Sequence, residues 1–306
     1  MPSKDWTIND IPDLTGKIII VTGGNSGLGY EAAKALSSKG AKVTIACRSM
    51  LKGEQAMKQI LEAYPKADID VSELDLADLQ SIKSFATKYF QTHKQLDLLL
   101  NNAGIMMTPY QLTKDGFESQ MGINHLGHFA LTGLLLELLR KTPNSRVVNV
   151  SSMAHKQGIM DYDNLLFNRK GYTPLKAYGR SKLSNLLFTY ELQRFFESNK
   201  IDCKALVAHP GVSDTNLFQH ITSPWMMNLL KPLVRFMIQP ANMGVLPELR
   251  AATDIAAKGG EFYGPNGKLE MKGYPVIVKP IAAAQDTESG RKLWEASEKL
   301  TGIIYK

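Results

Sequence analysis

Strand-like apolar runs alternate with helix-length segments through the first two thirds of the chain. Residues 17–21 are a short β-branched run, followed by glycines and a helix predicted over about 28–38. Residues 42–47 predict a second strand and residues 52–63 a second helix. The alternation continues with a strand at 69–74, a helix at 79–90 and a strand at 96–100. Residues 123–139 read as one long apolar helix, and 146–150, 176–196 and 203–208 as strand, helix and strand. Such alternation predicts an α/β architecture, a doubly wound and mainly parallel sheet with helices on both faces. The strands are nearly continuously apolar, as strands buried on both faces are.

No internal repeat or low-complexity linker interrupts the chain, so residues 1–306 are expected to form one domain. Residues 1–12 read as a polar, partly ordered arm, and residues 218–243, rich in Met, Leu, Trp and Pro, are the compositional oddity. With 44% hydrophobic residues the chain can fill a core. No run of ~18 apolar residues predicts a spanning helix, and the opening Met1-Pro2-Ser3-Lys4-Asp5-Trp6 lacks the order of a secretory signal. Cys47 and Cys203 lie in apolar stretches and read as buried thiols of a reducing compartment, so a cytoplasmic location is expected. A formal charge of +7 suits nucleic acid, anionic lipid or a phosphorylated cofactor. The basic residues are dispersed among acidic ones, with no dense tract and no interleaved aromatics. The expectation is a solvated, mildly basic surface that binds no nucleic acid.

Chemistry enters at Thr22-Gly23-Gly24-Asn25-Ser26-Gly27-Leu28-Gly29, between the first strand and the first helix. Glycines there permit a tight turn and close backbone approach to a pyrophosphate, which the helix N-terminus then receives. The spacing is one residue off the common dinucleotide fingerprint, and an ordinary loop is the alternative. NAD sites usually carry an acid at the end of the second strand. Here Ala46-Cys47-Arg48-Ser49 has none, and Arg48 offers a planar fork for a 2′-phosphate. NADP is therefore expected over NAD, the other reading being an exposed arginine beside a permissive NAD site. His125, His128, His155 and His209 suggest a metal only superficially, because just the first two are close and neither has a Cys or carboxylate at ligand spacing.

Further motifs follow in a fixed order: Asp75-Leu76, Asn101-Asn102-Ala103-Gly104, Asn124, Ser151-Ser152, Tyr178-Gly179-Arg180-Ser181-Lys182 and His209-Pro210-Gly211. With the glycine turn they make the chain resemble the short-chain dehydrogenase/reductase family over nearly its whole length. Ala46-Cys47-Arg48, Ile123-Asn124-His125, Val150-Ser151-Ser152-Met153-Ala154-His155 and Tyr263-Gly264-Pro265 resemble its retinol-dehydrogenase-like branch. The resemblance implies a Rossmann fold with a mainly parallel sheet of about seven strands. It implies a cofactor held by Gly23, Asn25, Ser26, Gly27, Leu28, Gly29, Arg48, Asp75, Leu76, Asn102, Ala103, Gly104, Tyr178, Lys182, Pro210, Gly211 and Thr215. Asp75 would bond the adenine, Asn102 would also help hold the sheet, and Pro210, Gly211 and Thr215 would cover the nicotinamide side. Taken singly, Asp75 also reads as a helix cap and Pro210-Gly211 as a turn.

Tyr178 and Lys182 lie four apart and so share a helical face. A neighbouring ammonium is expected to lower the phenol from its usual value near ~10, making Tyr178 the acid–base group. Lys182 would also bond the nicotinamide ribose. The family's serine is expected at Ser152, with Ser151 the alternative, and Asn124 would hold a water linking Lys182 to solvent. These four residues, Asn124, Ser152, Tyr178 and Lys182, are the expected catalytic set. The reaction implied is hydride transfer between NADP(H) and a carbonyl or alcohol carbon of an apolar substrate, retinoid-, steroid- or xenobiotic-like. A non-catalytic nucleotide sensor is the alternative, although sensors typically lose the Tyr or Lys. Sugar-nucleotide epimerases and dehydratases have tighter glycine spacing and a larger C-terminal domain. Residues 213–243 are expected as a substrate lid, with 224–238 a mobile apolar segment, a membrane contact or static core. A peripheral membrane contact and a homo-oligomer packed through the long helices are compatible with the pattern.

Overall fold

The computed structural model describes residues 5–168, 170–212 and 239–306. The first strand, β1 (Ile18–Thr22), is followed by α1 (Gly27–Ser38), β2 (Lys42–Cys47), α2 (Met50–Ala63), β3 (Ile69–Glu73), α3 (Leu79–Thr92) and β4 (Leu98–Asn101). A short helix α4 (Ser119–Met121), a π-helical turn at Gly122–Leu126 and α5 (Gly127–Lys141) run on from one another. Then come β5 (Ser145–Val150), α6 (Pro174–Ser198) and β6 (Cys203–Ala208), and after the undescribed stretch α7 (Ala241–Gly244), α8 (Leu246–Thr253), β7 (Phe262–Pro265), β8 (Pro275–Ile277) and α9 (Thr287–Thr301).

The sheet has eight described strands in the order β3-β2-β1-β4-β5-β6-β7-β8, parallel except that β8 runs against β7. The sequence expectation of about seven is short by one, because β8 is three residues beginning at a proline, a composition suited to a sheet edge. Chain order reverses between β1 and β4, so the crevice above their carboxyl ends is where such folds take ligands.

Local chemistry explains the element ends. Ser49 caps α2 by accepting from the Lys52 amide, and Asp78 caps α3 by accepting from that of Gln80. Thr173 caps α6 with Pro174 at its first position, where a missing N–H costs nothing. Apolar cores lie on both faces of the sheet. Ala32, Leu36, Leu246 and Leu249 pack on one; Phe85, Phe129, Leu135, Phe188 and Phe196 fill the other. Within the expected N-terminal arm Trp6 and Ile11 are buried against the α1 side, as is Leu14 just beyond it. Three apolar residues scattered in a polar stretch are enough to anchor it. No described helix is long and apolar enough to cross a membrane.

Candidate active site

A cleft of about 400 Å³ opens above the ends of β1, β2, β4 and β5. Gly23, Asn25, Ser26, Gly27, Leu28 and Gly29 form one wall, and Arg48, Asp75 and Leu76 one end. Asn102, Ala103 and Gly104 lie along the middle, with Tyr178, Lys182 and Pro210 also lining it. Gly211 adjoins Pro210 with a φ of 65°, and a Cβ there would strike the Met271 carbonyl. Thr215 and the proposed mobile segment 224–238 lie outside the described residues, as does all of the expected lid but 239–243.

The glycine turn is pressed against the β4 turn. Asn102 Nδ2 donates to the Thr22 carbonyl at 2.7 Å, and the Ala103 amide donates to Thr22 Oγ1 at 3.0 Å. A Cβ on Gly29 would run into both Asn102 Nδ2 and the Gly23 backbone. Only bare backbone fits there. Across the sheet itself the bridge is Asn101, whose Nδ2 donates to Asn149 Oδ1 at 2.9 Å. Sheet holding thus falls to both asparagines, Asn101 between β4 and β5, Asn102 between turn and β1. Asp75 does not cap α3; its Oδ1 accepts from the Ala77 amide at 2.9 Å, an Asx turn beside the cleft.

The sequence reading missed Ser49 and Lys52, which line the same end of the cleft as Arg48. Lys52 sits in the first turn of α2, one turn beyond Arg48, so the helix puts a second cation and its own N-terminus where a phosphate would lie. The signal was present as Arg48-x3-Lys52, readable once Ser49 is recognised as the cap.

At the other end, Lys182 is buried and its Nζ donates to the Val150 carbonyl at 3.0 Å, 5.8 Å from the Tyr178 ring centre. Asn185 Nδ2 donates to the same carbonyl at 2.9 Å, so the end of β5 fixes both side chains of α6. Burial pushes Lys182 down to about 8, opposed by the charge of Glu248. Tyr178 is also buried, and burial pushes its phenol up to about 12, opposed by a hydrogen bond with Ser152. The expected lowering by Lys182 is not what governs the phenol here: burial is the larger influence, and the direction is upward. Ser152 is the serine that meets Tyr178, whereas Ser151 lines the cleft and spends its hydroxyl on the Lys182 carbonyl at 2.8 Å.

Asn124 stands on the π turn, not in the regular helix expected over 123–139. Its Oδ1 accepts from the Ile105 amide at 2.9 Å, and its Nδ2 donates to the Ile105 carbonyl at 3.0 Å and to Ser181 Oγ at 2.9 Å. Its carbonyl accepts from His128 Nδ1 at 3.1 Å. Since a carbonyl only accepts, Nδ1 carries the proton and Nε2 takes that of Thr22 Oγ1 at 2.9 Å. One buried histidine therefore ties the glycine-turn strand to the Asn124 turn. Among the described residues no three His, Cys, Asp or Glu side chains group as metal ligands.

The family model described as short chain dehydrogenase matches residues 17–224. This chain belongs to the short-chain dehydrogenase/reductase family. It is 40% identical over 293 residues to retinol dehydrogenase 12 of Homo sapiens, covering 96% of this chain and 89% of that protein. Retinol dehydrogenase 13 of Homo sapiens is 37% identical over 295 residues, 95% of this chain and 86% of its own length. Among solved structures, an uncharacterized protein from Mycobacterium Paratuberculosis superimposes with a TM-score of 0.82 at 39% identity, covering 99% of both chains. The chain is thus a retinol-dehydrogenase-like member of an oxidoreductase family that works with nicotinamide cofactors.

Proposed function

We propose that the protein transfers hydride between NADP(H) and the carbonyl or alcohol carbon of an apolar substrate, with Tyr178 as acid–base group. The observation that carries this reading is the cleft itself, with cations at one end and buried Tyr178 and Lys182 at the other, Tyr178 being hydrogen-bonded to the half-buried Ser152. The cleft fits the cofactor, since Gly23, Gly29 and Gly104 leave bare backbone along it. A Cβ on Gly104 would already stand 3.5 Å from Lys182 Nζ. Arg48, with Ser49 and Lys52, would hold the 2′-phosphate, and no acid stands at the end of β2 to favour NAD. Asp75 and Leu76 would border the adenine, and Lys182 the nicotinamide ribose. When bound, the nicotinamide supplies or accepts the hydride.

The chain's own part is to move the proton. Burial keeps Tyr178 as the neutral phenol, the form that gives a proton to a carbonyl being reduced. The phenolate left behind is stabilised by the Ser152 hydroxyl and by the Lys182 ammonium. Ser152 would also bond the substrate oxygen as its charge changes. The Asn124 backbone carbonyl, which accepts from His128 Nδ1, would also hold the relay water. The retinol dehydrogenase names of the relatives support an apolar alcohol or aldehyde as substrate.

The test is a panel of apolar aldehydes, ketones and alcohols with each cofactor, read by nicotinamide absorbance, on the wild type and on Tyr178→Phe. The variant is expected to lose ~10²–10⁴-fold in turnover while still binding NADPH by fluorescence titration. A wild type inert on the whole panel, or a variant with near-normal turnover, overturns the reading.

A further inference from the structure

Past the end of β6 the chain runs through His209 to Pro210, which lines the cleft, and a loop at 267–273 fastens this segment. His209 Nε2 meets Glu270 Oε2 at 3.0 Å, and the Val212 amide donates to the Met271 carbonyl at 2.7 Å. Buried Gln239 makes a further link: its Nε2 donates to the Pro210 carbonyl at 2.9 Å, and its Oε1 accepts from the Gly273 amide at 3.0 Å. Glu270 then reaches further, its Oε1 accepting from Lys156 Nζ at 3.2 Å. Lys156 lies in the short 3-10 turn Met153–Gln157, which Ser152 caps by accepting from the Ala154 amide. One carboxylate thus joins the segment that carries Pro210 to the segment that carries Ser152.

The loop is strained where it makes this reach. Leu269 and Glu270 take φ angles of 55° and 58°, the left-handed region that residues with a Cβ avoid. Strain of that kind persists where surrounding contacts hold it, and it gathers at working sites. Leu269 gains no burial in return, being exposed, whereas Glu270 gains two charge-assisted bonds. The receiving side is shaped as well. A Cβ on Gly264 of β7 would stand 2.2 Å from His209 Nε2, so bare backbone there admits the ring. The rings of His155 and His209 both lie against Phe262, at 5.6 and 5.3 Å between centres. The Gly211 amide donates to His209 Nδ1 at 3.2 Å, so Nδ1 is bare and Nε2 carries the proton given to Glu270. That bond is the main cause holding the Glu270 carboxyl down to about 2, so it stays charged for both partners.

We propose that Glu270 is a positioning residue for the reacting end, setting Pro210-Gly211 and Ser152 in register by gripping His209 with one carboxyl oxygen and Lys156 with the other. The inference rests on the reading of Ser152 and Pro210-Gly211 as parts of that end. Glu270 does not line the cleft, so its effect falls on geometry and not on the chemistry itself. In the proposed activity the substrate oxygen meets Ser152, and Pro210-Gly211 covers the nicotinamide side. A shift of about 1 Å between the two segments can then cost ~10²-fold in rate. The links through Met271 and Gln239 hold the Pro210 segment to the loop but do not extend to the Ser152 turn. Loss of Glu270 should therefore slacken the reacting end and leave the Arg48 end as it was.

Proton and nitrogen NMR of the histidine rings in the whole protein tests the grip without any turnover. The wild type should show His209 as the Nε2–H tautomer with a downfield ring proton, identified by its loss in His209→Gln. That proton should move upfield in Glu270→Ala and stay near its place in Lys156→Met, which leaves the His209 bond intact. Kinetics then test the role. Glu270→Ala should lose ~10–10²-fold in kcat, counted per NADPH-binding site, with NADPH affinity changed by less than about threefold. Lys156→Met should lower kcat by itself and add little in the Glu270→Ala background, because partners in one network are not additive. Glu270→Gln can still accept from His209 and should fall between; it also serves if Glu270→Ala does not fold. A His209 ring proton indifferent to Glu270→Ala overturns the grip. Unchanged kcat, or losses that add in the double variant, overturn the role. A wild type inert on every substrate but with the shifted ring proton would fail the proposed activity, and the role with it, while the grip stands.

Discussion

At the scale of single residues, Arg48 and Lys52 are the side chains through which we propose the cofactor is chosen. Both are exposed at the cleft mouth and neither forms an ion pair among the described residues, which suits them to a dianionic 2′-phosphate. Arg48→Ala should weaken NADP by about 1.5–3 kcal/mol, the range for a hydrogen bond to a charged group, and leave NAD nearly untouched. Titrating both cofactors by nicotinamide fluorescence checks this; equal losses would refute it. Arg48 was legible because the apolar run of 42–47 ends beside it. Lys52 needed the cap at Ser49 to place it on the same side. Tyr178 and Lys182 were legible from their spacing, but the raised phenol was not, since burial is made by residues far away in the chain. Glu270 was invisible for the same reason: an acid in a polar loop looks like surface until the loop folds back on His209.

At the scale of elements, the glycine turn and the β4 turn work as one piece. Their contact is backbone on backbone, with Asn102 as the clasp, so a methyl at Gly29 has nowhere to go. Gly29→Ala should cost ~1–3 kcal/mol of stability, as overpacking does, and should weaken NADP and NAD alike, unlike Arg48→Ala. Melting temperature and the same cofactor titrations read both effects, and a variant with wild-type values in each would show that the turn is slack. The regular strands and helices were readable because their periodicity is local. The π turn was not: it places Asn124 to grip Ile105, and a one-residue change of helical pitch leaves no mark on the apolar pattern 123–139. Strands β7 and β8 escaped because Phe262–Pro265 carries Gly and Pro and Pro275–Ile277 is too short to show alternation.

For the whole molecule, the doubly wound order was foreseeable from six apolar strands and intervening helices, while the polar contents of the core were not. His125 and His128 are both buried where α5 meets the sheet and α9. His125 Nε2 faces Ser297 Oγ at 2.9 Å. Burial pushes His125 down to about 3 and His128 to about 4, so the folded protein keeps both neutral well below the value of an unfolded histidine near ~6.5. Between those limits the unfolded chain binds more protons than the folded one, and stability must rise with pH. The contribution is fully present above ~6.5 and is lost as pH falls toward the folded values. His155 and His209 are shifted in the same direction, also chiefly by burial, and add to the slope. Two histidines alone give roughly 2.7 kcal/mol per pH unit in the steep part of the window, at about 1.36 kcal/mol each. Urea unfolding at pH 7.5, 6.5, 5.5 and 5.0, roughly spanning that window, should show a flat region followed by a steep fall. His128→Gln, which removes one titrating group, should make the fall shallower. A midpoint that stays constant down to about pH 5 would mean that these histidines take up protons in the folded state, and the buried network joining Thr22 to Asn124 would have to be redrawn.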